Sequence, residues 1–234
     1  MEEGYLLCVF GGEIYFKLSD RIIQNIFKFD STRKICILTD NLSYYHTKNN
    51  NIIVKYFDYN NHLNHNIDCK NDWNKYGFIP KIHQYKYTPF NKTCFMDVDM
   101  LFFNDFTFIW EEFKNSSSPI LIGGKSDINN RSPPNWHWNG ISMVMQKCGF
   151  NCPQICSTIF IYETEFMKTL NQQAEYILNN FKNWNVRSLF ENGYPDEIYY
   201  SILLGMNKIY PSKLIDEWFY DKNNCDSCNK SIHP

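Results

Sequence analysis

Apolar and polar segments alternate along the first sixty residues of the chain. An apolar run from Tyr5 to Phe10 ends at Gly11-Gly12, and apolar residues at four-residue spacing follow it. This pattern predicts a strand, a glycine turn and an amphipathic helix capped by Ser19. Short apolar runs at 35–39 and 52–57, with polar loops between them, predict two further strands. Strands that alternate with helices predict a parallel sheet with helices on its faces.

Two aspartates interrupt an apolar stretch in the middle of the chain. Residues 73–87 have a helical pattern in their second half, with Pro80 near a first helical turn. The apolar runs Thr93–Met96 and Met100–Phe103 follow, separated by Asp97-Val98-Asp99. Without these acids the pattern would predict one continuous buried strand. A turn at the aspartates is not expected, because apolar runs flank them on both sides.

The second half of the chain predicts more strands and two helices. Apolar runs at 120–122, 141–145 and 158–162 have the length and composition of strands. Apolar side chains recur every three or four residues over 166–181, which predicts one long amphipathic helix. A last helix is predicted over 195–205, between a proline and a glycine. The predicted fold class is α/β, with a mixed, mostly parallel central sheet flanked by helices.

Length and composition limit the classes of protein that fit. The 234 residues suit a single α/β domain over 1–234, since no linker divides them. The formal net charge of −2 provides no general field for a polyanion, so nucleic acid is disfavoured as a partner. The apolar run at 6–10 is too short for a signal-peptide core or a membrane span. We therefore expect no membrane span and a cytoplasmic location.

The chain has nine cysteines, and their number and spacing predict reduced thiols. Cys225 and Cys228 have the spacing of a zinc knuckle, but Cys148, Cys152 and Cys156 do not provide the second half of such a site. Zinc and a disulfide remain alternatives to free thiols.

The two aspartates at the exit of the predicted strand suit a divalent cation. Buried carboxylates are costly unless their charge is compensated. Mg²⁺ and Mn²⁺ prefer carboxylate oxygens and keep open positions for phosphate oxygens, so Asp97 and Asp99 predict a metal site for a diphosphate-bearing ligand. The carboxyl edge of a parallel sheet is where such ligands bind. Two alternatives stay open: aspartates that merely start a turn or pair with Lys86 or Lys92, and the Asp-x-Asp motif of a metal-dependent phosphatase.

Two segments around these aspartates resemble a known family. Phe78–His83, a helical segment that contains Lys81, and Asn91–Leu101, which contains Phe-Met-Asp-Val-Asp, resemble the glycogenin-like retaining glycosyltransferases of the GT-A fold. The resemblance implies a Rossmann-like GT-A fold in one domain. Residues 1–103 would form its nucleotide-binding half and residues 104–234 its sugar- and acceptor-binding half.

The resemblance also implies how a donor is held. Asp97 and Asp99 would hold Mn²⁺ or Mg²⁺ against the diphosphate, and Lys81 would add a second positive charge. The segment 9–15 is similar to the family's nucleotide-contacting first loop, in which a tyrosine borders the uracil. The residues implied to bind the nucleotide sugar are Phe10, Gly11, Tyr15, Lys81, Asp97, Val98 and Ser157.

The carboxyl half departs from the family where the sugar would lie. Only the serine of the family's Asn-Ser-Gly strand is kept, as Ser157, and Glu197 replaces the glutamine of a Gly-x-Asp-Gln helix start. The resemblance implies that Asp196 and Lys81 are the catalytic residues and that His233 is a third metal ligand. An inverting enzyme would instead need Asp196 or Glu197 as a general base, so the stereochemical course stays open at this point.

These features favour a metal-dependent glycosyltransferase. It would move a hexose from a nucleotide-diphosphate sugar, with a UDP-sugar favoured, to a hydroxyl of a glycan, a protein or a lipid-linked sugar, with retention. Trp136 and Trp138, in the segment Trp136-His137-Trp138-Asn139-Gly140, would bind the acceptor or else only pin their loop to the sheet. The alternatives are a catalytically silent relative that binds nucleotide sugars or glycans and, less favoured, a metal-dependent phosphatase.

Overall fold

A central sheet with flanking helices makes up the structure. The computed structural model describes residues 2–45, 49–62, 73–125, 144–181, 183–184 and 194–212. Six strands in this part of the chain form one sheet. They are β1 (Glu3–Val9), β2 (Lys34–Thr39), β3 (Ile52–Tyr56), β4 (Lys92–Met96), β5 (Ile120–Lys125) and β6 (Gln154–Glu163).

The strand order creates a switch point between β1 and β4. The order across the sheet is β3-β2-β1-β4-β6-β5. The first four strands are parallel, and β6 runs antiparallel to both β4 and β5. This confirms the predicted α/β class with a mixed, mostly parallel sheet. Because the chain moves outward from β1 to β3 and then returns to the other side of β1, ligands are expected at the carboxyl ends of β1 and β4.

Helices cover both faces of this sheet. The α-helical segments of the described residues are α1 (Glu13–Phe29), α2 (Ile79–His83), α3 (Phe108–Asn115), α4 (144–148), α5 (Thr164–Thr169), α6 (Asn171–Asn180) and α7 (Asp196–Met206). A wide helical turn, Trp73–Phe78, leads into α2, and a tight one, Gln84–Lys86, follows it. Within the described residues no helix combines the length and the apolarity that crossing a bilayer requires.

The apolar core forms two layers because successive strand side chains point to opposite faces. Leu6 and Phe95 belong to the layer under α2, α6 and α7. Leu7 and Met96, their neighbours in sequence, belong to the layer under α1 and α3. Asp97 follows β4 directly, so it emerges from the edge of this double layer.

The first helix begins earlier than its sequence pattern predicts. Gly11 has a φ of +89°, a conformation open to glycine, so the chain turns at once from β1 into α1. Gly12 occupies the N-cap without a side-chain hydrogen bond, and the prediction that Ser19 caps this helix is wrong. Ser19 is buried inside α1, where its hydroxyl donates to the Phe16 carbonyl at 2.7 Å and hydrogen-bonds with the Tyr45 hydroxyl.

The expectation that no turn lies at the aspartates is also wrong. The strand ends at Met96 and a turn follows at 98–99, contrary to the prediction. The side chain of Asn25 on α1 takes both main-chain groups of Phe102, with distances of 2.9 Å to its carbonyl and 2.7 Å to its N–H. Because these groups bond to a helix, the segment cannot extend the sheet. Leu101 and Phe103 are 45% and 52% exposed.

Three further predictions in the second half need correction. Val144 and Met145 lie in α4 and not in a strand, while 141–143 lie outside the described residues. The predicted long helix is two helices, α5 and α6, because the chain breaks at Leu170, where ψ is 2°. The last helix continues through Gly205. A Cβ on Gly205 would lie 2.4 Å from the Asn151 carbonyl oxygen, so this glycine permits close packing.

Candidate active site

Asp97 is fixed at the switch point by its own main chain. Its N–H donates to the Thr158 carbonyl of β6 at 2.8 Å, immediately after the last residue of β4. Its side chain is largely enclosed, with 15% of its surface exposed. The carboxylate therefore lies where the parallel strands end and β6 enters.

Lys81 on α2 joins two carboxylates that are far apart in sequence. Its Nζ lies 2.7 Å from Oδ1 of Asp97 and 3.6 Å from Oδ2 of Asp196. The Tyr200 hydroxyl on α7 donates to the Lys81 carbonyl at 2.7 Å, which ties α2 to α7. The ion pairs considered from sequence do not form, since Lys86 pairs with Glu175 at 3.6 Å and the Lys92 ammonium lies over the Phe113 ring.

Asp196 opens α7 and is held by β6. The Ser157 hydroxyl donates to its Oδ2 at 2.7 Å, and both residues are buried. Glu197 is the next residue of α7, and its carboxyl group interacts electrostatically with that of Asp196. The acids of the first helical turn also face the positive end of the α7 dipole. The structure therefore brings Lys81, Asp97, Ser157, Asp196 and Glu197 into one cluster, named here the carboxyl-edge cluster.

A bulge in β6 turns Ser157 toward α7. Phe160 pairs with Ile122 of β5, but the next pair joins Cys156 to Gly123. Residues 157–159 therefore lie opposite no residue of β5. Because the number of inserted residues is odd, the side chains on the two sides of the bulge alternate between the faces of the sheet in opposite phase. Gly123 and Gly124 stand beside this irregularity, and a Cβ on Gly124 would lie 2.1 Å from the Gln154 carbonyl oxygen.

The charges of the cluster are not balanced. Burial raises the pKa of Asp97 to about 7 against the opposing pull of Lys81. Burial and the negative charge of Asp196 raise the pKa of Glu197 to about 8. Burial lowers the pKa of Lys81, but Asp196 and Asp97 outweigh it and raise the pKa above its ordinary value. The carboxyl pKa values and the lysine pKa are all raised because three carboxyl groups share one ammonium.

The acidic residues offer oxygens that suit a divalent cation. Oδ2 of Asp97 and the exposed carboxylate of Asp99 make no hydrogen bond or ion pair with the described residues. Within the described residues, no group of three His, Cys, Asp or Glu side chains has metal-binding geometry. His233, predicted as a third ligand, lies outside the described residues. These unpaired carboxylate oxygens, beside further acidic groups, nevertheless fit a hard cation that brings its own water or phosphate ligands.

The residues of the first loop, 9–15, start at the carboxyl end of β1, the strand next to β4. The Phe10 ring is in the core, 5.6 Å from the Phe57 ring, and Val98 is also buried, so neither side chain is open to a ligand. Gly11 forms the turn. Tyr15, on the first turn of α1, is 44% exposed. Its ring carbon Cδ2 would lie 3.6 Å from a Cβ placed on Gly11, so the ring lines this turn.

Sequence reasoning missed some polar groups at the same edge. Asp40 follows β2 directly, and Cys8 and Cys156 lie close enough to Asp97 for its charge to raise the pKa of each thiol, after the larger effect of burial. The position of Asp40 after a parallel strand was the signal available in the sequence. Six cysteines of the described residues are free thiols, as predicted: Cys8, Cys36, Cys94, Cys148, Cys152 and Cys156. Cys225, Cys228 and the segment 136–140 lie outside the described residues.

Solved structures match this architecture, although no family model and no curated protein matches the sequence. Apo mouse xyloside xylosyltransferase 1 is similar at a TM-score of 0.58 and 10% identity, over 90% of this chain and 84% of that chain. Galactosyltransferase LgtC, solved with donor and acceptor sugar analogs, has a TM-score of 0.60 and 11% identity, with 88% and 72% covered. Apo GlyE from Streptococcus pneumoniae TIGR4 has a TM-score of 0.54 and 9% identity, with 92% and 46% covered.

The likeness defines the fold of this chain. Its mixed sheet and flanking helices have the arrangement found in GT-A glycosyltransferases. The likeness in sequence is low and extends to the fold alone, so the chemistry of this chain depends on the residues of the carboxyl-edge cluster.

Proposed function

We propose that this chain is a metal-dependent glycosyltransferase that moves a hexose from a nucleotide-diphosphate sugar to a hydroxyl acceptor. The observation that carries the proposal is the Lys81 ammonium, which joins Asp97 and Asp196 at the switch point of a glycosyltransferase fold. A UDP-sugar is the favoured donor. The resemblance to the glycogenin-like enzymes supports retention of the anomeric configuration, and the galactosyltransferase named above was solved with donor and acceptor sugar analogs.

Mn²⁺ or Mg²⁺ is the proposed metal. The unpaired Oδ2 of Asp97 and the exposed carboxylate of Asp99 would hold it, with His233 as the proposed third ligand. When bound, such an ion neutralises the negative charge of a leaving nucleoside diphosphate.

The side chains of the cluster hold and orient the groups around a donor. Lys81 is protonated at neutral pH because its pKa is raised, and it provides positive charge beside a diphosphate. Lys81 and Ser157 both hold Oδ2 of Asp196, so Oδ1 is the oxygen available to a sugar hydroxyl. Glu197 keeps a proton near neutral pH, because burial and the charge of Asp196 raise its pKa to about 8. Asp196 is accordingly the proposed residue that acts on the sugar.

The first loop is proposed to bind the nucleoside. The exposed Tyr15 ring would border the base, and the Gly11 turn allows the main chain to approach it closely. The main chains of Phe10 and Val98 would line the same pocket. The proposed acceptor is a hydroxyl of a glycan, a protein or a lipid-linked sugar.

The proposal is tested by nucleotide binding and turnover in the purified protein. Thermal stabilisation by nucleoside diphosphates and their sugars is measured with Mn²⁺ and with EDTA, because a ligand of the native state raises Tm. Release of UDP from a UDP-sugar is then followed with Mn²⁺, and the anomer of any transferred sugar is read by NMR. We expect Mn²⁺-dependent stabilisation and UDP release.

Asp99→Asn provides the site variant, and Asp105→Asn is its matched control, an exposed aspartate whose carboxylate only caps Thr107. Asp99→Asn should lose the Mn²⁺-dependent stabilisation, while the control should keep it. Binding of UDP without any turnover would identify a silent relative. Phosphate release from simple phosphomonoesters, with no use of UDP-sugars, would overturn the proposal in favour of a phosphatase.

A further inference from the structure

The segment that contains Asp97 and Asp99 is anchored to the fold at both of its ends. At the first end, the Asp97 N–H donates to the Thr158 carbonyl of β6 at 2.8 Å. At the other end, the Asn25 side chain of α1 donates to the Phe102 carbonyl at 2.9 Å and accepts from the Phe102 N–H at 2.7 Å. Asp99 therefore lies on a short stretch of chain between two fixed points.

Apolar side chains hold this stretch against the core layer under α1 and α3. Val98 is buried in that layer, and Met100 and Phe102 pack against it. The Phe102 ring also stacks on the buried Phe106 ring, with centroids 3.9 Å apart. Asp99, between the first two of these apolar residues, is exposed. The position of its carboxylate is thus set by the main chain that its neighbours hold in place.

Asn25 has the chemistry and the support that this contact requires. Its amide carries a donor and an acceptor side by side, so it binds the N–H and the carbonyl of one residue together, as a paired strand does. Ile22 and Ile26, which flank Asn25 on α1, are fully buried and fix the helix to the sheet. Asparagine is a weak helix former, so local propensity does not favour it in the middle of α1.

The Asn25 contact affects the metal site because the two proposed ligands are attached to different parts of the fold. Asp97 is tied to β6, whereas Asp99 is tied through Phe102 to α1. The separation of the two carboxylates therefore depends on this contact. Divalent cations bind oxygen ligands at fixed distances, and loss of a group that orients a ligand typically weakens metal binding by about 10–100-fold.

We propose that Asn25 is a positioning residue that sets the separation of the Asp97 and Asp99 carboxylates, and with it the affinity for Mn²⁺ or Mg²⁺. The inference rests on the proposed function and adds to it the element of the fold that shapes the metal site. Asn25 acts through the Phe102 main chain, since its amide oxygen is already bound to the Phe102 N–H.

The test compares Asn25→Ala with the matched control Asn207→Ala. The control also removes two side-chain hydrogen bonds, which the Asn207 Nδ2 donates to Gln173 Oε1 and to the Leu203 carbonyl, both at 2.7 Å. UDP affinity is measured by calorimetry at a series of Mn²⁺ concentrations, and the concentration that gives half of the maximal affinity is compared. This concentration should rise by about tenfold in Asn25→Ala and stay within about twofold of the wild type in the control.

Amide hydrogen exchange tests the same contact in the unmodified protein. Because coupling between two sites is reciprocal, a ligand that depends on the Asn25 contact must also stabilise it. With Mg²⁺ and UDP, exchange of the Phe102 N–H should slow by at least about fivefold more than exchange of the Thr32 N–H. The Thr32 N–H is the reference because it donates to the Asp30 carboxylate at 3.1 Å, at the opposite end of the sheet.

The outcomes separate the inference from the proposed function. An equal Mn²⁺ requirement in the folded Asn25→Ala and Asn207→Ala, or equal slowing of the two amides, would overturn the inference and leave the proposed function standing. If UDP binding to the wild type does not depend on Mn²⁺, the inference and the proposed function both fail.

Discussion

The sheet has a polar cluster at each end, and in both clusters the carboxyl groups outnumber the cations, but the buried aspartates are held differently. The basal cluster, at the amino ends of the strands, consists of Glu3, Tyr5, Asp30, Arg33 and Trp110. The guanidinium of Arg33 lies 2.7 Å from Oδ2 of Asp30 and 2.9 Å from Oε2 of Glu3. The Tyr5 hydroxyl donates to Asp30 at 2.7 Å and accepts from the Trp110 indole N–H at 2.9 Å.

The pKa of the buried aspartate is shifted in opposite directions in the two clusters. Burial alone would raise the pKa of Asp30, but hydrogen bonds from Tyr5, Arg33 and Thr32 outweigh it and lower the pKa to about 2. In the carboxyl-edge cluster the pKa of Asp97 is raised to about 7. The basal cluster therefore stabilises its buried aspartate as a carboxylate, whereas in the other cluster burial and neighbouring carboxyl groups oppose the charged form of Asp97. A strongly shifted carboxyl pKa at a switch point is typical of a site that binds a ligand.

The largest expected effect is a loss of activity on replacing Asp97, which Asp30 should not share. Asp97→Asn removes the carboxylate at the switch point, so transfer or UDP release should fall at least about 10³-fold. Its free energy of unfolding should change by less than about 1 kcal/mol, because a carboxyl with a raised pKa contributes little in its charged form. Steady-state kinetics and urea unfolding measure the two quantities. Loss of stability in proportion to activity would show that Asp97 is structural like Asp30.

The next prediction applies the same substitution to the basal cluster. Asp30→Asn breaks a buried pair with Arg33 and should lower the free energy of unfolding by about 2–3 kcal/mol, with Tm lower by roughly 5–10 °C. The kcat of the folded variant should equal that of the wild type, since Asp30 lies at the opposite end of the sheet from the proposed site. Urea unfolding and initial rates at 15 °C provide the check. A large fall in kcat with unchanged Tm would contradict the comparison.

Sequence patterns predicted the sheet well because its strands are apolar and short. The parallel strands, the helix after the glycine turn and the aspartates at a strand exit all follow from local patterns. The end of β4 did not follow, because the Asn25 side chain withdraws Phe102 from the sheet by bonds across 77 residues. Apolar composition alone does not encode such a contact.

The composition of the carboxyl-edge cluster was only partly accessible from sequence. Lys81, Asp97 and Asp196 were singled out from motifs, but the distance that joins them depends on how α2 and α7 pack. The orientation of Ser157 depends on the bulge at 157–159, and strict alternation along β6 does not predict it.

The dependence of stability on pH distinguishes the two clusters, because each cluster affects one end of the pH range. The acid limb depends on Asp30, and the alkaline limb depends on Glu197. The pKa of Asp30 is about 2, below its ordinary value near 3.9, so its contribution is present above about pH 4 and is lost as the pH falls toward 2. The pKa of Glu197 is raised to about 8 from near 4.3, so its contribution is present below about pH 4 and is lost as the pH rises through 8. Metal-free protein should therefore lose stability at both ends of the range.

The variants assign each limb to one cluster. Asp30→Asn should flatten the acid limb, and Glu197→Gln, which is neutral at every pH, should flatten the alkaline limb up to pH 8. Tm measured from pH 2 to 9 in EDTA gives both limbs. If Glu197→Gln runs parallel to the wild type between pH 5 and 8, the carboxyl-edge cluster does not hold the proton assigned to it.

The smallest effect concerns two serines that differ in what they hold. Ser157 positions Asp196, whereas Ser201, on the same helix as Asp196, donates to the Pro153 carbonyl. Each replacement by alanine should lower the free energy of unfolding by about 1 kcal/mol. Ser157→Ala should also lower kcat by about 3–10-fold with little change in the KM of the donor, because it releases a carboxylate that acts on the sugar. Since Ser201→Ala matches it in burial and in stability, equal kcat values in the two variants would mean that α7 packing, and not the orientation of Asp196, sets the rate.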